Sequence, residues 1–204
     1  KKTSKKALSK DAPNVIVVIT DDHGYADFGA YGLSDDVRTP NLDNLAANGA
    51  LMTHGYVTAP QCVPSRAGIV TARYQSRFGV DGNEFVPIPV DEITVAERLR
   101  DVGYATGFVG KWHLEPTWEG KEWMADNYPE GLEKTPPFGI PYKLRKPHSP
   151  LCKGFDDIYD GCMHNYLRNY DIDGNDVQPP KGHQIRKDEF REDHKTDAAV
   201  AFIK

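Results

Sequence analysis

Residues 14–20, with the sequence NVIVVIT, constrain the fold more than any other stretch. Their continuous apolar and β-branched side chains predict a strand buried on both faces, as in a parallel sheet. Asp21 and Asp22 follow at once, at the strand's carboxyl end, where open α/β sheets bind ligands. Adjacent carboxylates repel each other unless a cation relieves them, so the pair indicates a hard divalent metal. Alternatively, Asp21 caps a helix and Asp22 is a solvated turn residue.

Strand-like and helix-like patterns alternate along the first half of the chain. Thr39 with Pro40 has the residue types of a helix start, and Thr94 with Glu97 forms a capping-box pattern. The positions expected to face the core are Leu42, Leu45 and Ala46 in the first of these helices and Val95, Leu99 and Val102 in the second. Further predicted elements are a strand-like segment over 50–57, a short helix over 65–71, a buried strand over 105–109 and the start of an amphipathic helix over 193–204. The alternation is typical of a layered α/β fold with a parallel sheet.

Composition excludes two classes of partner. With 25 basic against 30 acidic residues the net charge is −5, which argues against a nucleic-acid partner. No apolar run reaches the length of a membrane span, and the polar residues 1–10 have no signal-peptide core.

Of the three cysteines, Cys152 and Cys162 could pair in an oxidising compartment or remain free thiols. If they pair, Cys62 is left over, as expected of a cysteine reserved for chemistry.

The motif Cys62-Val63-Pro64-Ser65-Arg66 lies in a turn before a predicted helix. A side chain there is near the positive end of the helix dipole, where an anion is stabilised. The guanidinium of Arg66 adds a donor fork suited to tetrahedral oxyanions. The plainer alternative is a half-buried structural cysteine beside a surface arginine.

Four motifs in this order together resemble the N-terminal half of a formylglycine-dependent sulfatase of the alkaline phosphatase superfamily: D-D-x-G at 21–24, T-P-N-L-D-x-L at 39–45, C-x-P-S-R at 62–66 and G-K-W-H-L at 110–114. The match is dense over residues 1–114, weaker at 154–156 and visible again at 196–198. The resemblance implies a layered α/β/α fold with a largely parallel central sheet, present only in part. Residues 1–13 are then a flexible arm, and residues 14–204 are the N-terminal part of a catalytic domain whose remainder is absent.

The same resemblance implies roles for seven residues. Asp21, Asp22 and the matured Cys62 would bind Ca²⁺, or Mg²⁺ in its place. Cys62 would be oxidised to formylglycine, whose hydrate is the nucleophile, by a formylglycine-generating or anaerobic sulfatase-maturing enzyme. Arg66 would hold the hydrate, Lys111 would bind sulfate oxygens, and His113 would help to remove a proton. The substrate would be a sulfated saccharide, and the setting periplasmic, secreted or at the cell surface.

His148 is the seventh residue, and its role is less direct. It lies in Pro147-His148-Ser149-Pro150, which imitates a Pro-His-x-Pro motif of the family but precedes residues 154–156. We interpret it as a substrate-binding or structural residue. His164 receives no role, since a lone histidine is more often structural than catalytic.

Some of the family's pattern has no counterpart in this chain. Its second metal-ligand pair, second sulfate-binding lysine and leaving-group histidine would lie beyond residue 204, so residues 1–204 alone are expected to be inactive. Two other functions remain open. One is phosphomonoester or phosphonate hydrolysis on the same scaffold, and the other is a truncated homologue that binds glycans without turnover.

Overall fold

The computed structural model describes residues 8–136, 139–162 and 164–204. Four strands form one mixed sheet in the order β1 to β4, and they are β1 (Gly107–Gly110), β2 (Asp157–Cys162), β3 (Asn165–Tyr170) and β4 (Asp176–Gln184). β1 lies parallel to β2, with Gly110 opposite Asp160, whereas the β2–β3 and β3–β4 pairs are antiparallel. Because β1 and β2 are parallel, they end at the same edge of the sheet.

Within the described residues, six α-helices accompany the sheet: α1 (Pro40–Asn48), α2 (Cys62–Thr71), α3 (Val95–Asp101), α4 (Lys121–Asn127), α5 (Tyr142–Arg145) and α6 (Arg191–Ile203). Short 3₁₀ helices span Tyr25–Asp27, Gly29–Tyr31, Gln75–Phe78, Pro129–Gly131, Lys146–His148 and Pro150–Lys153. None of the helices among the described residues combines the length and hydrophobicity needed to cross a bilayer.

The chain divides into two compact units. Among the described residues, the sheet unit comprises 8–10 and 58–204, and the smaller unit is Asp11–Val57. Of the predicted arm over residues 1–13, residues 1–7 lie outside the described part of the chain. The predicted boundary between that arm and a catalytic domain remains a prediction.

The sheet unit is layered as helix, sheet and helix. Phe108 packs on an apolar cluster that includes Val63 and Val70 of α2, while its neighbour Val109 packs on a second cluster that includes Ala198 of α6. Neighbouring residues of a strand point to opposite faces, so α2 and α6 cover opposite faces of β1. The α/β class predicted from the sequence is therefore confirmed.

Two predicted strands are wrong. Residues 14–20 and 50–57 have no strand structure, and the run Val15 to Ile19 is exposed at every side chain, with Val18 77% exposed. A strand needs a neighbour to accept and donate its backbone hydrogen bonds. The four strands of the described residues pair only with one another. The apolar side chains of residues 14–20 indicate a preference for burial, but they do not indicate which strand would pair with this segment.

The predicted helices are present, with shifted starts or faces. The capping box of Thr94 and Glu97 is formed as expected, yet the helix buries Ala96, while Val95 and Val102 are exposed and Leu99 is half-buried. In α1, the predicted core residue Leu45 is 69% exposed. α6 confirms the helix expected near the end of the chain, and β1 confirms the strand expected over 105–109.

The strands β2 to β4 were not predicted from the sequence. Residues 157–184 contain glycine, proline, asparagine and aspartate, which are rare in strands. Pairing across the sheet therefore overrides local propensity in this segment. Cys152, also in this half of the chain, is an exposed free thiol, and the side chain of Cys162 lies outside the described part of the structure.

Candidate active site

Cys62 is the first residue of α2, three residues earlier than the predicted helix start. Gln61 is the N-cap residue, and the backbone N–H of Val63 is satisfied by Asn83 Oδ1 at 3.1 Å. The adjacent Val63 and Pro64 are buried, which fixes this first turn against the core. The Cys62 side chain thus occupies the positive end of a ten-residue helix.

Two basic residues of the sequence motifs lie near Cys62: Lys111, in the turn after β1, and Arg66, in α2 itself. Lys111 Nζ donates to Cys62 Sγ at 3.4 Å. Arg66, one helical turn beyond Cys62, donates from Nη1 to the backbone oxygen of Lys111 at 2.5 Å. Cys62, Arg66 and Lys111 therefore form one cluster, although 45 residues separate Arg66 from Lys111 in sequence.

The backbone of that turn is unusual at both of its ends. Gly110 has a φ of +107°, and His113, which is half-buried, has a φ of +60°. A left-handed conformation is uncommon for a residue with a side chain and is typically retained where the surroundings enforce it. Such conformations cluster at functional sites, so the backbone of His113 marks it as a candidate functional residue.

Trp112 anchors the middle of the turn. Its indole Nε1 donates to His148 O at 2.8 Å, and its backbone N–H donates to Asp160 Oδ1 at 3.3 Å. Its ring packs edge-on against Phe108 and Phe155, with ring centroids 5.3 and 5.8 Å away. The residue between Lys111 and His113 is therefore held at backbone and side chain alike.

Two carboxyl groups lie close to this turn, those of Glu115 and Asp160, and sequence reasoning missed them. Glu115 forms an ion pair of 2.6 Å with Arg145, and burial raises the pKa of its carboxyl against the opposing effect of that arginine. Burial, reinforced by the nearby charge of Glu115, raises the pKa of Asp160 to about 8. A carboxyl of this kind is protonated at neutral pH. The sequence signal was Glu115 directly after the G-K-W-H-L motif.

His148 is placed differently from a substrate ligand. Its side chain is buried, and its Nδ1 lies 2.7 Å from the carbonyl oxygen of Ile88. Burial lowers its pKa, with the Ile88 contact opposing and the Lys153 charge assisting. These contacts favour the structural alternative stated for His148. His164 lies in the β2–β3 turn, at the sheet edge where β1 and β2 end, and its carbonyl accepts from Ile185 N.

Asp21 and Asp22 belong to the Asp11–Val57 unit, and both are exposed. Asp22 has a φ of +52°, a left-handed conformation that aspartate adopts more readily than most residues. The next residue, His23, bonds within the same unit to Thr20 and to Asp27 O. Cys62 belongs to the sheet unit, and the predicted three-residue metal set remains a prediction.

Comparisons with known proteins agree on one family. A family model described as Sulfatase matches residues 13–184. Human arylsulfatase A is 46% identical over 107 residues, which is 50% of this chain and 21% of arylsulfatase A. The crystal structure of Ps i-CgsB aligns with a TM-score of 0.64 at 28% identity, over 94% of this chain and 41% of that chain. Its complex with k-i-k-neocarrahexaose aligns with a TM-score of 0.59 at 26% identity, over 90% of this chain and 39% of that one.

Proposed function

Because this chain belongs to the sulfatase family, we propose that it is the nucleophile-bearing part of a sulfuric ester hydrolase that removes sulfate from a sulfated saccharide. The chain spans 21% of arylsulfatase A and 41% of Ps i-CgsB. The activity is therefore proposed for the whole protein rather than for residues 1–204 alone.

The observation that carries this proposal is the hydrogen bond from Lys111 Nζ to Cys62 Sγ at 3.4 Å. This hydrogen bond brings the Lys111 ammonium group next to the side chain of Cys62 at the start of α2, where the helix dipole already favours negative charge. Sulfuryl transfer moves a negatively charged group onto the nucleophile, and fixed positive groups stabilise that charge. The geometry therefore suits transfer of an anionic group to residue 62.

We propose further that Cys62 is oxidised to formylglycine by a formylglycine-generating or anaerobic sulfatase-maturing enzyme. The proposed metal ligands support this maturation on chemical grounds. Asp21 and Asp22 offer hard oxygen donors that suit Ca²⁺ or Mg²⁺, whereas a thiol is a soft donor. Residue 62 joins such a ligand set only when oxygen replaces its sulfur. Once bound, the cation would polarise the sulfate ester and acidify the attacking hydroxyl.

The remaining residues position the reacting groups. Lys111 would hold sulfate oxygens, and Arg66 would keep Lys111 in place through its backbone carbonyl while adding a second positive charge. His113, two residues further along the same turn, is proposed to accept a proton from the formylglycine hydrate. In each case the proposed role uses the residue's own charge or basicity.

The saccharide substrate is supported by a structural relative. Ps i-CgsB has been crystallised with k-i-k-neocarrahexaose, and the alignment with that structure covers 90% of the present chain. We propose a sulfated oligosaccharide or polysaccharide as the substrate of the whole protein here as well. We also propose a periplasmic, secreted or cell-surface location, where the enzyme would have access to an extracellular polymeric substrate.

The test is the mass of the Cys62 peptide from the full-length protein, expressed in a host that contains a maturation enzyme. We expect the mass of an aldehyde in place of the thiol, together with hydrolysis of aryl sulfates in preference to aryl phosphates. An unmodified thiol with no sulfate release would overturn the proposal. Preferential release of phosphate would instead support the phosphoesterase alternative.

A further inference from the structure

A carboxyl group on the neighbouring strand holds the turn that carries Lys111 and His113. Asp160 stands opposite Gly110 in the parallel β1–β2 pair, at the last residue of β1. Its Oδ1 accepts the backbone N–H of Trp112 at 3.3 Å. Trp112 is the residue between the two proposed catalytic groups, so Asp160 contacts the turn at its centre.

The turn needs such a support because its backbone is strained at His113, a residue with a side chain and a φ of +60°. Gly110, with a φ of +107°, adopts this conformation without strain. Residues in sparsely populated conformations persist only when surrounding contacts over-determine them. The Trp112 indole bond to His148 O fixes the side chain of the turn, and the Asp160 bond fixes its backbone.

The charges around Asp160 make its protonation state part of the arrangement. Glu115 and Arg145 are the charged groups that act on it, and they form an ion pair of 2.6 Å with each other. Lys111 and His113 flank the residue that Asp160 contacts. Burial raises the pKa of Asp160 to about 8, with Glu115 adding to the effect. Below that pH the neutral form of the carboxyl predominates, and Asp160 adds no negative charge beside the turn.

We propose that Asp160 is a positioning residue of this site, which holds the Lys111–His113 turn by accepting the backbone N–H of Trp112. This inference rests on the proposed sulfatase function. Asp160 itself touches no reacting atom. When the carboxyl ionises at alkaline pH, its charge opposes that of Lys111 and weakens the stabilisation of the transferring sulfo group.

The experiment uses the full-length matured protein with two substitutions at this position. Asp160→Asn keeps an acceptor for the Trp112 N–H but cannot ionise, whereas Asp160→Leu removes the acceptor. We expect Asp160→Asn to keep kcat/KM for an aryl sulfate at pH 7 and to lose the decline of wild type near pH 8. We expect Asp160→Leu to lower kcat by at least about tenfold, because small misplacements of catalytic groups are costly.

A matched control is Asp157→Asn, on the same strand. Asp157 stands opposite Gly107, at the other end of β1, and burial raises the pKa of its carboxyl too. We expect this variant to leave the pH profile of kcat/KM unchanged. If Asp160→Leu keeps full kcat, the positioning role is wrong. If Asp160→Asn also has the wild-type pH profile, the effect assigned to ionisation of Asp160 is wrong.

Measuring the binding of inorganic sulfate to the same variants tests the positioning role of Asp160 independently of the proposed hydrolysis reaction. Isothermal titration calorimetry at pH 7 should show affinity about tenfold weaker in Asp160→Leu and unchanged in Asp160→Asn. If wild type binds sulfate in this pattern but hydrolyses no sulfate ester, the proposed function fails while the positioning role stands. Equal affinity in all variants would overturn the positioning role, whether or not turnover is observed.

Discussion

Arg66 Nη1 donates to the backbone carbonyl of Lys111 at 2.5 Å, which ties the nucleophile helix to the turn after β1. The arginine therefore has two connections to the site. Its charge lies one helical turn from Cys62, and its hydrogen bond fixes the backbone that presents the Lys111 ammonium.

Arg66→Ala should lower kcat/KM for an aryl sulfate by at least about 100-fold, because a fixed positive group and the support of Lys111 are lost together. Arg66→Lys should recover only part of the activity, since an ammonium lacks the planar fork. The measurement is steady-state kinetics with a melting curve for each variant. Arg73→Ala removes an arginine at the opposite end of α2, which pairs with Glu92, and should keep most of the activity. Equal losses in Arg66→Ala and Arg73→Ala would contradict a specific role for Arg66.

Cys62→Ser should trap the reaction at its first half. A serine hydroxyl can accept the sulfo group, but it has no second hydroxyl from which to expel sulfate. Intact-protein mass spectrometry after incubation with an aryl sulfate should therefore show a stable sulfated adduct in place of turnover. Cys62→Ala, which has no nucleophile, should show neither adduct nor turnover. An adduct on Cys62→Ala, or multiple turnovers by Cys62→Ser, would argue against nucleophilic attack from this position.

Calcium should stabilise the full-length matured protein against heat. A ligand that binds only the folded state at about 100 times its Kd adds about 2.7 kcal/mol. Chelation should lower Tm correspondingly, and Asp21→Asn with Asp22→Asn should abolish the response to added Ca²⁺. The matched control changes Asp35 and Asp36, another adjacent acidic pair of the same unit that is exposed. A calcium response that survives loss of Asp21 and Asp22 would show that these carboxylates are not its ligands.

His148 should make the protein acid-sensitive. Burial lowers its pKa, so below pH 6.5 the unfolded chain gains a proton on this imidazole that the folded protein does not. Stability is therefore lost as pH falls from about 6.5 toward the lower folded-state pKa. His148→Gln should be less stable than wild type at pH 7.5, because the Ile88 carbonyl loses its partner. The Tm difference should narrow at pH 5.5. Exposed His54→Gln is the control, and a difference that widens on acidification would contradict this account.

Thr94→Ala should reduce the free energy of unfolding by about 1–2 kcal/mol, because the buried hydroxyl accepts from Glu97 N and donates to Lys153 O. Thr94→Ser should retain most of that stability. The measurement is urea unfolding at fixed pH. Thr53→Ala, at an exposed position, should change stability by no more than about 0.5 kcal/mol. A similar small change in Thr94→Ala would mean that the cap and its link to Lys153 contribute little.

The sequence predicts which residues form this cluster better than it predicts their surroundings. C-x-P-S-R and G-K-W-H-L identified Cys62, Arg66 and Lys111 without any knowledge of distance, and the structure brings the three together in the sheet unit. These residues could be predicted because each motif consists of only five consecutive residues and can be recognised in the sequence without knowledge of the fold. The Thr94 capping box was predictable for the same local reason.

The surroundings depend on contacts between distant segments. The link from Trp112 to Asp160 spans 48 residues, and Asp160 lies in a strand that local propensity does not predict. The likeness of residues 147–150 to a Pro-His-x-Pro motif left a substrate-binding and a structural role open for His148, and the contact with Ile88 in a buried position favours the structural one. The exposure of residues 14–20 is a third case, since a buried strand depends on neighbours that periodicity does not report.

The separation of 49 residues between Cys62 and Lys111 has a consequence for protein synthesis. Ribosomes add about 5–20 residues per second, so the thiol emerges several seconds before the lysine that contacts it. During that interval residue 62 lies in a nascent chain with neither β1 nor its turn. A modifying enzyme that reads the local C-x-P-S-R segment would then meet an extended peptide, and docking of the turn would close that window.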